Sequence, residues 1–262
     1  VEGFDLEVSA GEMVGLVGPN GAGKTTLVKM LSGIIRPSAG VALVLGETPH
    51  KRADAYLSRM AVVMGQKTQL WWDLPAMDTF LLSKAMYGIK EARFRSNLGR
   101  LAESLEVTDL LDRPVRKLSL GQRMRMEFIA AMLHEPDLVF LDEPTIGLDA
   151  PAQKKIREFL REENALRGMT LILTSHYMED IRKLCPRSVL ISSGRKRWDG
   201  PTEGMLDSVR GSPDEDIADT VERLYATGGQ DGEADGGNGE AGGAGKNDSE
   251  AALALKAEAQ GE

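Results

Sequence analysis

Gly18-Pro19-Asn20-Gly21-Ala22-Gly23-Lys24-Thr25-Thr26 follows an apolar run from residue 13 to 17, and its spacing is a glycine, four residues, a second glycine, then Lys and Thr. The run predicts a strand, the glycines a tight loop, and residues 23–32 a helix that stops at Gly33. Glycines lack side chains, so successive backbone N–H groups can close around phosphate oxygens. The positive end of the following helix points at the same place. Lys24 adds a full cation for the terminal phosphates, and the Thr25 hydroxyl is suited to a magnesium ion that travels with ATP. Residues 18–26 therefore predict a nucleotide site embedded in a strand, loop and helix.

Upstream of this loop, Phe4, Leu6 and Val8 alternate like a half-buried strand already inside a fold, so residues 3–9 read as a strand and a preceding segment is expected. Downstream, residues 41–45 and 60–64 read as strands and residues 54–58 as a short helix. The second of those strands ends at Gly65-Gln66, and strand ends are where ligand-facing residues collect in α/β sheets. From residue 74 to 113 the pattern becomes helical, with Phe80, Leu81 and Ala85, then Leu98, Leu101 and Leu105, at helix spacing. This predicts a helical subdomain inserted between two parts of a core, residues 1–73 and 114–226.

After Pro114 the stretch Lys117-Leu118-Ser119-Leu120-Gly121-Gln122 opens a helix to residue 133, and the apolar strand 138–141 runs into Asp142-Glu143-Pro144. Two acids at the end of an apolar strand are costly unless they serve a cation or a water. Asp142 is thus a candidate magnesium ligand, and Glu143 a candidate base for an attacking water. A helix over 151–167, a strand over 170–174 followed by His176, and a hairpin around Ser193-Gly194 complete the ordered body.

Taken together these motifs resemble the nucleotide-binding subunit of an ATP-binding cassette transporter. Residues 18–26 match its Walker A motif, 138–143 its Walker B motif with a catalytic Glu, and Leu118-Ser119-Leu120-Gly121-Gln122 its signature motif. Gln66 matches the Q-loop, Gly147-Leu148-Asp149 the D-loop and His176 the switch histidine. The order holds over residues 3–210.

The resemblance implies a P-loop NTPase core with a mainly parallel sheet, N-terminal antiparallel strands and a helical subdomain after the Q-loop. It also implies a head-to-tail dimer in which ATP with Mg2+ lies between the phosphate loop of one subunit and Ser119, Gly121 and Gln122 of the other. Asp149 would align the two sites, His176 would hold the γ-phosphate and water with Glu143, and Gln66 would touch magnesium or water and sense hydrolysis. The implied partner is an integral-membrane permease, with this chain peripheral on the cytoplasmic face of the membrane. The run Glu143–Asp149 and the surroundings of Gln66 look more like exporter than importer ATPases. Gln69-Leu70-Trp71-Trp72-Asp73-Leu74-Pro75 offers paired tryptophans either for a partner groove or for the joint between lobes. Two departures stand out. Leu120 replaces the first signature glycine, and the aromatic residue that stacks on adenine in the family would precede residue 1.

Charge and composition narrow the alternatives. Residues 201–262 carry 15 acidic against 4 basic side chains, leaving 25 acidic against 28 basic before them, so the near-neutral body gives no reason to expect nucleic acid. No stretch reaches the ~20 apolar residues of a membrane span, which predicts a soluble intracellular chain. The single Cys185 allows no intrachain disulfide and reads as a packing residue, and His50, His134 and His176 are too dispersed for a metal site. Beyond residue 226 Gly, Ala, Glu and Asp dominate, which predicts a disordered tail with at most a transient helical turn around Leu253 and Leu255. An alternative is a relative of these ATPases that acts on DNA, ribosomes or a soluble assembly. Such proteins usually carry a second cassette, a long coiled coil or zinc-binding cysteine pairs, none of which occurs in this sequence. No Asn-Lys-x-Asp guanine-reading run supports a GTPase, and intact Lys24, Asp142, Glu143 and His176 argue against an inactive scaffold.

Overall fold

The computed structural model describes residues 1–65, 67–175, 177–209 and 253–256. Its strands are β1 (Leu6–Val8), β2 (Met13–Val17), β3 (Val41–Leu43), β4 (Met60–Met64), β5 (Leu138–Asp142), β6 (Thr170–Thr174), β7 (Arg187–Ser192), β8 (Arg195–Pro201) and β9 (Leu253–Lys256). The helices are α1 (Lys24–Leu31), α2 (Asp54–Leu57), α3 (Ala76–Met86), α4 (Glu91–Ser104), α5 (Leu120–Met132), α6 (Ala150–Arg167), α7 (Met178–Leu184) and α8 (Thr202–Val209).

The principal sheet has the order β4-β5-β6-β2-β7-β8, parallel except for β8. Its inner strands are continuous apolar runs because helices or a second sheet bury both faces. Alternate residues divide between two cores. Val14, Leu16, Phe140 and Ile172 join Leu27, Val28 and Leu31 of α1, together with Phe4, Leu6 and Val8. Val17, Val139, Leu141 and Leu173 join Phe128 and Ile129 of α5 and Ile156 and Phe159 of α6. The period-two alternation of each strand thus puts the phosphate-loop helix on one side of the sheet and the signature helix on the other.

Both α3 and α4 lie within residues 74–113, and Phe80, Phe94, Leu98 and Leu101 share the core of α5. Cys185 is buried, and burial pushes its thiol pKa up, in keeping with a packing residue. Among the described residues no helix is long and apolar enough to cross a membrane.

The second sheet, order β1-β9-β3, is antiparallel and holds the N-terminal strands β1 and β3, but its middle strand departs from the sequence reading. Residues 253–256, expected within a disordered tail or as a transient helical turn, form a strand with Leu255 opposite both Leu6 and Ala42. A strand takes its hydrogen bonds from neighbours remote in sequence, so local composition carries little sign of it. The rest of the tail expectation, residues 227–252 and 257–262, lies outside the described residues.

Candidate active site

The site grows from the point where the sheet reverses its winding. β2 has β6 on one side and β7 on the other, and ligands of open α/β sheets bind beyond the strand ends at such a point. The chain leaves β2 through Gly18-Pro19-Asn20-Gly21-Ala22-Gly23 and enters α1. A Cβ on Gly18 would stand 2.1 Å from the Ile191 carbonyl oxygen, so the loop closes against the end of β7 only because residue 18 has no side chain. The turn that follows β7 also holds the loop, with Gly194 N–H donating to the Ala22 carbonyl at 3.0 Å. Gly23 has φ 107 and makes no side-chain cap on α1. The first intrahelical bond runs from Leu27 N–H to Gly23 carbonyl, leaving the N–H groups of Lys24, Thr25 and Thr26 ahead of it.

Lys24 is 6% exposed, and its Nζ donates to the carbonyls of Gly18 at 2.6 Å and Pro19 at 2.9 Å. Burial lowers its pKa from the usual lysine value, while the carboxylates of Glu143 and Asp142 oppose that shift. The loop thus holds an ammonium ion, two carboxylates and an uncapped helix end within one neighbourhood. That is a donor set that fits a polyphosphate accompanied by a cation.

Asp142 stands at the end of β5. Its Oδ1 accepts from Thr25 Oγ1 at 3.1 Å and from Thr174 Oγ1 at 2.7 Å. Glu143 follows in the left-handed region at φ 53, its N–H donating to the Thr174 carbonyl at 3.0 Å and to Thr174 Oγ1 at 3.2 Å. Gly65, at the end of β4, is equally forced: a Cβ there would lie 2.0 Å from the Glu143 carbonyl oxygen. Its own N–H donates to the Asp142 carbonyl at 2.9 Å. Three neighbouring strand ends are therefore tied together at the two acids.

A cavity of about 210 Å³ opens here, lined by Thr25, Lys29, Met64, Lys67, Asp142 and Glu143. Thr25 and Asp142 offer two hard oxygen donors side by side, which fits magnesium with its remaining ligands drawn from phosphate and water. Gln66 and His176 lie outside the described residues.

The signature and D-loop residues gather elsewhere. Ser119, Leu120, Gly121, Gly147 and Asp149 line a separate cavity of about 440 Å³ at the starts of α5 and α6. Ser119 and Gln122 form a complete capping box, with Gln122 N–H donating to Ser119 Oγ at 3.2 Å and Ser119 N–H to Gln122 Oε1 at 2.9 Å. Gln122 N–H is thus engaged within the chain, while the Ser119 hydroxyl keeps its proton for another acceptor. The Asp149 carboxylate caps α6, accepting from Ala152 N–H at 2.9 Å. Leu120, half-exposed on the first turn of α5, leaves its neighbours Ser119 and Gly121 on the cavity wall.

Sequence reasoning passed over several groups. Thr174 braces both acids, and its sequence signal was its place at the end of a strand just before Ser175-His176. Asp180 is 1% exposed and ties three elements: it accepts from Arg157 Nη1 at 2.5 Å, from Ser175 Oγ at 3.2 Å and from the Thr145 hydroxyl. The turn after Glu143 and the chain leading to residue 176 are held by that one carboxylate, which a helical Met-Glu-Asp-Ile pattern could not have announced.

The family model described as "ABC transporter" matches residues 1–146. A similar curated protein, "Nod factor export ATP-binding protein I" of Cupriavidus metallidurans, is 36% identical over 211 residues, 80% of this chain and 69% of that protein. "ABC transporter ATP-binding protein NatA" of Bacillus subtilis is 31% identical over 210 residues, 80% of this chain and 85% of its own length. Among solved structures, one described as the ATP binding subunit of an ABC transporter superposes with a TM-score of 0.72 at 26% identity, covering 85% of this chain and 90% of the other. With a phosphate loop, paired acids and a signature helix arranged on this sheet, the chain belongs to the ABC transporter family as an ATP-binding subunit with ATPase chemistry.

Proposed function

We propose that two copies of this chain pack head to tail around MgATP at the cytoplasmic face of a membrane and drive a separate integral-membrane permease in the export direction. The observation that carries this reading is the separation of the two cavities. Thr25 of the phosphate loop and the acids Asp142 and Glu143 line one, and Ser119, Gly121 and Asp149 line another. A second copy brings its own signature cavity to the first chain's nucleotide, so ATP acts as the contact between them. The name of the Cupriavidus relative supports the direction.

In this mechanism the loop N–H groups and Lys24 hold the phosphates. Thr25 and Asp142 would hold magnesium, which when bound would neutralise charge on the phosphates. Glu143 takes the proton from the attacking water while His176 holds water and γ-phosphate in line. From the second copy, the Ser119 hydroxyl and Gly121 N–H donate to the γ-phosphate, and Gln122 anchors the helix start. Asp149 aligns the two halves. Cleavage removes the bridging phosphate, and the charge left behind separates the copies.

Gln66 senses that change, and residues 74–113 serve as the arm that carries it. A groove of about 810 Å³ supports this route: it runs from Ser32 and Met60 to Met86 and Tyr87, and it shares Met64 and Lys67 with the nucleotide cavity. Met86 on its wall is 70% exposed, and Trp71 and Trp72, two and three residues after Gln69 of the same wall, are 48% and 49% exposed, apolar side chains suited to a permease helix. Capture of the tagged chain from gently solubilised cells tests the reading. A polytopic membrane protein is expected to come with it; ribosomes, DNA or a soluble complex instead would overturn the transport role.

A further inference from the structure

Helix α5 carries Ser119 at its start and, one and two turns further, Arg123 and Glu127. These two side chains lie four residues apart, hence on one face, and both meet the segment 68–73. Glu127 is 4% exposed. It accepts the Thr68 hydroxyl, the Gln69 N–H at 2.9 Å and 3.1 Å on its two oxygens, and the Leu70 N–H at 3.4 Å. Burial raises its pKa, and those donors oppose the rise. A carboxylate buried so deeply is stable only while its donors stay in place, so its partners cannot drift from it without a large cost.

Arg123 lays its guanidinium 4.8 Å from the Trp72 ring centre. Just before α5, Arg116 N–H donates to the Trp72 carbonyl at 2.9 Å and its side chain meets Asp73 at 3.1 Å. The same segment borders the groove through Thr68 and Gln69, and Lys67 before it borders the nucleotide cavity.

We propose that Glu127 is a positioning residue that makes residues 68–70 and the signature helix one rigid body, so that displacement of this segment moves Ser119. The inference rests on the coupling role given to the groove above. Glu127 touches neither nucleotide cavity nor signature cavity, so it acts only through α5.

The test uses the full chain and two readouts. The first is steady-state ATP turnover. The second is the change in tryptophan emission on adding MgATP in the Glu143→Gln background, with Trp71 and Trp72 two of the three tryptophans in the chain. Glu127→Leu is expected to lower kcat by ~10-fold with KM for ATP within about 2-fold, since residues along a coupling route modulate it by roughly that amount. The emission change should disappear while ATP still binds. Thr68 is exposed, so Thr68→Val covers the case in which Glu127→Leu does not fold: kcat should fall by ~3-fold, and Thr68→Ser should restore it. A folded Glu127→Leu protein with parental kcat and the emission change intact would overturn the inference alone, as would equal rates for Thr68→Val and Thr68→Ser. No emission change in the Glu143→Gln parent would overturn the coupling reading and this inference with it.

Discussion

In the proposed mechanism the starts of α1 and α5 both meet a phosphate, yet they are built oppositely. α1 begins at a left-handed Gly23 with no side-chain cap, so its leading N–H groups are left for a ligand. α5 begins at Ser119 with a complete capping box, so its Gln122 N–H is already satisfied and the helix start is rigid before any ligand arrives. An uncapped helix end costs the free chain hydrogen bonds that the ligand supplies, which makes it a strong primary site. A capped one has already spent one of its leading N–H groups and offers the Ser119 hydroxyl, the Gly121 N–H and the dipole, which suits a weaker contact made across an interface and released after each turnover.

This contrast can be broken by experiment. Glu143→Gln leaves both helix ends intact and removes only the base, so ATP turnover should fall ~100-fold or more. The same variant should show an ATP-dependent dimer by light scattering, and a near-normal rate would take Glu143 out of its role. Lys24→Ala strikes the α1 end alone. Loss of a charge-assisted bond worth about 1.5–3 kcal/mol should raise the Kd for ATP by ~10- to 100-fold in the monomer, as read by equilibrium binding. Ser119→Ala strikes the α5 end alone. It should cost about 1 kcal/mol in denaturant unfolding through the lost cap, leave monomer ATP binding unchanged and weaken the ATP-dependent dimer of Glu143→Gln. Equal losses of monomer affinity from Lys24→Ala and Ser119→Ala would erase the distinction between the two ends.

Most elements near the phosphate loop could be read from sequence because their signals are local. The loop glycines and the apolar runs of β2, β4, β5 and β6 all act on their immediate neighbours. Boundaries were looser where tertiary pairing sets them. β1 spans Leu6–Val8 rather than residues 3–9, and β3 stops at Leu43, before Leu45 turns to φ 54. The partners of buried polar side chains were not legible, because Thr174, Asp180 and Glu127 each meet residues more than twenty positions away as well as any near ones.

By itself the sequence determined the α/β core, the phosphate loop, the paired acids and the family, since each rests on side-chain types at short fixed spacings. Only the tertiary structure decided that the phosphate loop and signature loop of one chain line separate cavities, that residues 253–256 pair between β1 and β3, and that a buried carboxylate on α5 holds the segment after the Q-loop. Those outcomes depend on which strand ends and helix faces are brought together across the sheet, and on burial costs that exist only after the chain has closed around them.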